Sequence, residues 1–387
     1  MLLKLHKYAG LIAGLLLALT GVTGSLLVFH DTLDEWLTPQ LRTQPAADPA
    51  SLSAVLAAAE AALPGKAARR LEPSPGPGRP HTVRFDGPEG APGPLQVSAS
   101  PADAEVLAVR QWGAYPTSWV YRLHYTLLAG TTGKYVVGVL GLVLMFFCLS
   151  GLYLWWPRKG RWRRALSVRT DKGPFRLNFD LHKAAGVYIT PVLLVAAFSG
   201  VSLVFHGPVQ ALVGAALPLE PVPAPTLEAR PDAGPELNVD QIVAAGQSAF
   251  PEGDLKRIDL PRDPQTPYRL SFNQPGEAWS HHGASRVWVA PRDGAVLATW
   301  DPLSVAAGSR FMGWQFPLHN GDALGLTGRW LVFLGCCSAP ASTCGGASTS
   351  CGAGHGDPAD IPLLKTRGSG PTYRRVDDNP MSLLAQV

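Results

Sequence analysis

The chain is poor in charge and lacks the motifs of several cofactor classes. Asp, Glu, Lys and Arg make up 16% of its 387 residues, whereas about a quarter is usual in soluble proteins. It contains no Cys-x-x-Cys-His, no Gly-x-Gly-x-x-Gly between a strand and a helix, no Walker sequence and no His-Glu-x-x-His. These absences argue against covalent c-type haem, a nucleotide or flavin site and a zincin-type metal site.

Three long stretches contain no Asp, Glu, Lys or Arg at all, residues 8–30, 135–157 and 184–219. Each includes an apolar run of about 20 residues, which suffices for a helix to cross a hydrocarbon core roughly 30 Å thick. The first run follows Lys4 and Lys7 near the N-terminus, as in a signal peptide, but no small-x-small cleavage site follows it. The sequence therefore predicts three membrane-spanning helices, the first of them uncleaved.

A basic segment follows the second apolar run. Within residues 158–164 it carries five Lys or Arg residues. Because short basic loops stay in the cytoplasm, this segment and the N-terminus are predicted to be cytoplasmic. The long polar segments, residues 31–120 and 207–318, then lie outside, and a short basic loop beside a membrane span gives no support for nucleic-acid binding.

The sequence repeats itself in order and spacing. Leu5-His6-Lys7 is matched by Leu181-His182-Lys183, and 24 residues separate His6 from His30 and His182 from His206. Likewise, His124 and His319 each precede a glycine by nine residues, at Gly133 and Gly328, before the chain turns apolar. Six of the ten histidines therefore follow a twofold repeat, which indicates an internal duplication.

The polar segments also follow a common order of elements. A helix is predicted over residues 51–64, followed by strands near 81–85 and 95–97. In the second half, Asn238 or Asp240 is predicted to cap a helix that reaches about residue 250. Strands near 268–272 and 286–289 follow, and then a turn at Asp293-Gly294. Each polar segment is therefore predicted to be a small α+β module.

Histidines at the edge of a bilayer are costly and indicate function. Because 24 helical residues span about 36 Å, His6 and His182 are predicted near the inner face and His30 and His206 near the outer face. His124 and His319 precede their spans and also belong outside. Two neutral imidazoles are the axial ligands of low-spin haem, although interfacial hydrogen bonding would also explain single histidines. His81 is predicted to be a surface residue, and His281-His282 a solvated loop pair.

Several motifs resemble the PepSY-associated transmembrane family. They are Leu5-His6-Lys7 with Thr20-Gly21-x-x-Gly24-Ser25, the stretch from Ser150-Gly151 to Trp155-Trp156-Pro157-Arg158, and Leu318-His319-Asn320-Gly321 with Gly325-Leu326-x-Gly328-Arg329. The resemblance covers about residues 1–335. It implies a bacterial inner-membrane protein, often iron-regulated, with PepSY-like periplasmic modules. Some members are haem-containing reductases of ferric siderophores at the periplasmic side.

The resemblance implies the cofactor and partners of this chain. Haem b, in two copies, is expected, with its iron held by His6, His30, His124, His182, His206 and His319. The expected partners are the lipid bilayer, a ferric siderophore as substrate and an electron donor of unassigned identity. No catalytic residue is assigned.

The expected fold is a mainly α integral membrane protein with internally duplicated transmembrane helix pairs and two small α+β PepSY-like periplasmic modules. The expected segments are helix 1 (1–34), module 1 (35–120), helix 2 (121–157), a basic cytoplasmic loop (158–180), helix 3 (181–214), module 2 (215–317), an incomplete helix 4 (318–337) and an aberrant, disordered tail (338–387).

The repeat breaks after Gly335, where the fourth helix should continue apolar. Four of the five cysteines fall within residues 336–351, and the rest of the tail is polar. A reading-frame shift, a true truncation and a cysteine-rich metal site are the alternatives, and the cysteine spacing is not that of a zinc finger.

Two other functions fit the sequence. One is a membrane-anchored PepSY regulator without redox activity, which would need the polar modules but not the paired histidines. The other is a haem electron-transfer subunit that serves a different periplasmic acceptor.

Overall fold

A computed structural model describes residues 1–45, 48–157, 160–228, 235–279 and 282–337. The predictions for the tail after residue 337, and those for Arg158, Lys159 and His281, lie outside the described residues. The helices are α1 (Leu2–Val28), α2 (His30–Leu37), α3 (Leu52–Ala62), α4 (Pro116–Thr126), α5 (Gly130–Trp155), α6 (Trp162–Leu166), α7 (Gly173–Val204), α8 (His206–Gly214), α9 (Val239–Gln247), α10 (Ala307–Gly313), α11 (Gln315–Asn320) and α12 (Gly325–Cys337).

Three described helices are long and apolar enough to cross a membrane, namely α1, α5 and α7. They contain the three predicted apolar runs, so the prediction that these runs form helices long enough to span a membrane is confirmed. Helix α7 begins at Gly173, inside the segment predicted as a loop, because its only acidic residue is neutralised. Asp180 is fully buried and forms ion pairs with Arg176 (3.0 Å) and Lys183 (2.9 Å) one turn away on either side.

The first and third spans end at matched breaks. Helix α1 stops at Val28 and α2 starts at His30, while α7 stops at Val204 and α8 starts at His206. The sequence predicts continuous helices at both places. The intervening Phe29 and Phe205 leave the helical conformation, with φ of −117° and −102°. A short helix therefore follows each span at the histidine.

The last described helix is short. Helix α12 has 13 residues, about 20 Å of helix, and it is not among the candidate spans of the described chain. Nε of Arg329, in this helix, donates to Val28 O at 3.1 Å, and its guanidinium lies 4.9 Å from the centre of the Phe29 ring. This side chain therefore satisfies a carbonyl that the end of α1 leaves open.

The polar segments form one eight-stranded antiparallel sheet. Its order is β4-β3-β2-β1-β5-β6-β7-β8, and the two halves join where Arg70 pairs with Asp259 and Leu71 with Ile258. Each half has a helix followed by strands, as predicted, but there are four strands in each half and the two sets share a single sheet. The strands are β1 (Ala68–Glu72), β2 (His81–Phe85), β3 (Leu95–Ala99), β4 (Val106–Gln111), β5 (Asp254–Asp259), β6 (Tyr268–Asn273), β7 (Ser285–Val289) and β8 (Val296–Trp300).

One face of this sheet forms the core with α3 and α9. Leu71, Leu270 and Val287 from the strands and Val55 and Ile242 from the helices are fully buried there. Burying each such side chain contributes about 1.5–3 kcal/mol.

The prediction that His81 is a surface residue is wrong. His81 starts β2 and is 7% exposed, and its Nδ1 accepts the Ser74 N–H at 2.9 Å. The imidazole is buried because it satisfies the backbone of the β1–β2 connection.

The helix of the second half caps the helix of the first half. Asn238 caps its own helix α9 through a capping box with Gln241, whereas the Asp240 carboxylate accepts Leu52 N–H (2.9 Å) and Ser53 N–H (3.1 Å) at the start of α3. Of the two predicted caps, Asn238 therefore serves α9, and Asp240 serves the other helix.

We expect Asp240→Ala to lower the free energy of unfolding by about 1–2 kcal/mol, because two N–H groups and the positive end of α3 lose their carboxylate. Urea unfolding of the full chain in detergent, followed by tryptophan fluorescence, would measure the change. Asp254→Ala is the matched control, because its carboxylate is 79% exposed and lies 3.9 Å from Lys256. Equal stability of the two variants would contradict the capping role.

Candidate functional site: the histidine pairs

His124 and His319 lie together, although 195 residues separate them in the sequence. Their ring centroids are 6.1 Å apart and their planes are inclined by 46°. Each sits in a short helix, α4 or α11, that precedes α5 or α12. The structure therefore pairs two of the six predicted histidines.

His124 packs against α1 and hydrogen-bonds to its backbone, and we call this set of contacts its seat. Its Nδ1 lies 3.0 Å from Thr20 O and 3.3 Å from Thr23 Oγ1. The ring also packs directly over Gly24, where a Cβ would lie 2.9 Å from His124 Cε1. Glycine at this position is thus a steric requirement for the seat.

His319 is seated on α7 in the same way. Its Nδ1 lies 2.9 Å from Ala196 O and 3.3 Å from Ser199 Oγ, and a Cβ on Gly200 would lie 2.9 Å from its Cε1. These three residues each stand 176 positions after the residues that hold His124, the same offset that relates His6 to His182. The two imidazoles therefore have equivalent environments.

The hydrogen bonds fix the tautomer of both rings. A carbonyl oxygen can only accept, so Nδ1 of His124 must donate its proton to Thr20 O, and Nδ1 of His319 must donate to Ala196 O. Each Nε2 of the neutral ring then keeps its lone pair. Histidines that bind metals are held in this way, with the second nitrogen donating to a carbonyl or carboxylate.

His6 occupies the opposite end of α1. Its Nδ1 lies 2.7 Å from Ser150 Oγ of α5, and its ring meets Phe147 edge-on at 5.2 Å. It is also close enough to His182 for the two side chains to interact electrostatically. An open apolar groove of about 290 Å³ runs beside it, lined by Leu5, Ala9, Val139, Leu142, Val143 and Phe146.

His30 and His206 have different surroundings. His30 Nδ1 lies 3.1 Å from Leu27 O, and its Nε2 lies 3.1 Å from Asp31 Oδ1, while His206 has Lys134 in its electrostatic environment. Among the described residues no ring contact joins the two. The sequence repeat predicts equal roles for these histidines, but their neighbours are not equivalent.

The backbone seats of His124 and His319 were not predicted from the sequence. The available signal was the shared offset of 176 positions, which extends from the histidines to Gly24 and Gly200. A glycine in a membrane helix serves ordinary helix packing equally well, so Gly24 and Gly200 alone do not indicate contact with a histidine.

Three long apolar helices combined with an antiparallel sheet define a membrane protein. The chain belongs to the PepSY-associated TM region family, whose sequence pattern matches residues 3–348. It is also 32% identical over 149 residues to Uncharacterized protein PA4219 of Pseudomonas aeruginosa, a match that covers 36% of this chain and 36% of that protein.

Proposed function

We propose that this protein is a haem-containing reductase of the bacterial inner membrane that passes electrons to ferric siderophores on the periplasmic side. The observation that carries the proposal is the pairing of His124 with His319. It is supported by the equivalent contacts of the two rings and by the lone pair that each Nε2 keeps.

The distance between the two rings fits two axial ligands of one iron. A bond between a metal and an imidazole nitrogen is about 2 Å long, and the ring centre lies roughly 1.1 Å further, so two axial imidazoles have centroids about 6 Å apart. The centroids of His124 and His319 are 6.1 Å apart. Non-covalent haem b suits this pair, because the chain has no c-type attachment sequence.

His6 and His182 are proposed to hold a second haem. His6 lies 18 residues before Gly24, which is about 27 Å along α1, so the two sites would lie near opposite faces. An internal duplication of the helix pair would account for this arrangement, because each half would supply one histidine to each haem. Of the other predicted ligands, His30 and His206 lack matched contacts among the described residues. The proposal therefore depends on the other four histidines, which are His6, His124, His182 and His319.

The proposed topology follows from the distribution of basic residues. The N-terminus and the segment around Arg161 and Arg163 would be cytoplasmic, where an electron donor would act, and the sheet would be periplasmic. Haem iron supplies reversible one-electron transfer when bound. The chain itself would hold both imidazoles in one tautomer. Reduction of Fe(III) to Fe(II) weakens its binding to the hard oxygen donors of a siderophore and so releases the iron.

Visible spectra test this proposal. The full chain, purified in mild detergent from iron-replete cells, should show sharp α and β bands of b-type haem after dithionite reduction. A pyridine haemochrome assay should give about two haems per chain. The reduced haem should be reoxidised on mixing with a ferric siderophore. A folded preparation without haem would exclude the reductase and leave a membrane-anchored PepSY binding protein, whereas haem that siderophores do not oxidise would indicate another acceptor.

A further inference from the structure

The face of the sheet that points away from α3 and α9 is polar and largely buried. Two rows of cross-strand neighbours follow from the strand register. One row runs from Arg84 through Arg70 and Asp259 to Arg269, and the other from Arg257 through Ser271 to Arg286. Ser271 is fully buried, Arg286 is 4% exposed and Arg257 is 7% exposed.

Positive charge exceeds negative charge on this face. Asp259 alone forms ion pairs with Arg70 (2.7 Å), Arg269 (2.8 Å) and Arg257 (3.2 Å). Glu72 adds one further carboxylate, which pairs with Arg84 at 3.0 Å and with Arg70 at 3.8 Å. Among the described residues, Arg286 has no carboxylate within 4 Å. Five guanidinium groups therefore share two carboxylates.

Two buried polar atoms in the second row have neither a hydrogen-bond partner nor an ion-pair partner within the described chain, Oγ of Ser271 and Nε of Arg286. Nε of Arg257 makes no hydrogen bond of good geometry either, but it lies 3.2 Å from Asp259 Oδ2. Such atoms are rare in folded proteins and need an explanation. Burial, followed by repulsion from Arg257, lowers the pKa of Arg286 to about 9, and burial likewise lowers the pKa of Arg257 to about 10. Both side chains stay charged at neutral pH, so the positive potential is not relieved.

The first half of the same face has partners that the second half lacks. Arg110 donates to Asp34 of α2 at 2.8 Å, and its guanidinium lies 4.2 Å from the centre of the Tyr115 ring. Tyr115 OH in turn donates to Gln96 Oε1 at 2.8 Å. Ser98 Oγ and Arg110 Nε in this half also lack a hydrogen-bond partner within the described chain, so the two halves differ in charge pairing. Arg110 has a carboxylate, whereas Arg286 has none within 4 Å among the described residues, and an anion from outside the chain would neutralise it.

This row lies close to the proposed outer haem. Trp279 stacks on His282 at 5.2 Å and contacts Phe316 of α11, the helix that carries His319, at 5.0 Å. His282 interacts electrostatically with Glu72 and Arg257 on the sheet, and with His30 and Asp31 at the start of α2. A ligand on the arginine row would thus sit between the sheet and the outer ends of the membrane helices.

We propose that Arg257, Ser271 and Arg286 bind the free carboxylates of an anionic iron chelate, so that the substrate class is ferric polycarboxylates. Guanidinium groups bind carboxylates in a bidentate geometry that also supplies specificity. The serine hydroxyl adds a third donor. The substrate class rests on the proposed function, whereas the anion site itself can be tested without electron transfer.

The test uses gallium citrate, a redox-inert analogue of a ferric polycarboxylate, with the full chain in nanodiscs of uncharged lipid. Tryptophan fluorescence and isothermal calorimetry would report binding. We expect Arg286→Gln to weaken binding at least about tenfold, because a bidentate charged contact is lost. Arg262→Gln, at an exposed arginine, should bind like the original chain, and a cationic gallium trihydroxamate should not compete.

Three outcomes would overturn the proposal. They are unchanged gallium citrate binding by Arg286→Gln, equal binding of inorganic phosphate, and displacement by the cationic trihydroxamate. Ser271→Ala, which removes one hydroxyl, provides a second variant if Arg286→Gln does not fold. Because gallium is not reduced, binding without haem would refute the reductase alone, whereas haem reoxidation by siderophores without gallium citrate binding would refute the anion site alone.

Discussion

Replacing either His124 or His319 with alanine is expected to reduce the haem content from about two per chain to about one, because non-covalent haem held by two axial bonds is poorly retained by one. The two variants should behave alike, since both rings hold the same seat on α1 and α7. Pyridine haemochrome stoichiometry and the amplitude of the reduced α band would measure the loss.

His81→Gln is the control for these variants. His81 is buried in the sheet, and its role as acceptor of the Ser74 N–H can be filled by an amide oxygen. We therefore expect this variant to keep the full haem content. The pair would be rejected as ligands if both alanine variants also kept it, and a loss of haem in His30→Ala or His206→Ala instead would assign the site to those two histidines.

Much of the fold could be predicted from local patterns. The strand at His81–Phe85 alternates buried and less buried positions, and Tyr268–Asn273 carries aromatic residues on its core face. The three apolar runs are long enough that composition alone indicates spans. The helix that starts after Asn238 carries its own cap. These elements depend on nearby residues, which the sequence displays directly.

The single sheet could not be predicted in the same way. Its two halves join through β1, whose Arg69 and Arg70 are typical of a solvated strand. Part of the polar face is covered by α2, which pairs with Arg110 through Asp34, and no local pattern distinguishes a covered polar face from an exposed one. The burial of Arg286 follows from this tertiary arrangement.

The histidine pairing also depends on tertiary structure. The repeat placed His30, His124, His206 and His319 together near one face, without separating the possible pairs. The choice depends on α4 and α11, short helices that fold back against α1 and α7. Leu127 and Leu128, which follow α4 with φ of 49° and 59°, turn the chain back into α5. Leucine rarely adopts this conformation, so the turn has no sequence signature.

Replacing Gly24 with valine is expected to displace the His124 ring and to lower haem content to about one per chain, as loss of the ligand itself would. Even the first added carbon would lie 2.9 Å from His124 Cε1, well inside van der Waals contact. The ring cannot move away without breaking its hydrogen bond to Thr20 O. Gly200→Val should act identically on His319, and haemochrome assays with redox titration would show both effects.

Each of these glycines has a matched control on its own helix. A Cβ at Gly10 of α1 or Gly186 of α7 would have no atom within 4 Å, so Gly10→Val and Gly186→Val should leave the His124–His319 pair, its haem and the potential of that haem unchanged. The four variants share the same change in side chain and in helix propensity. A difference confined to positions 24 and 200 would therefore arise from contact with the imidazoles, whereas equal haem content in all four would mean that the two seats do not position haem ligands.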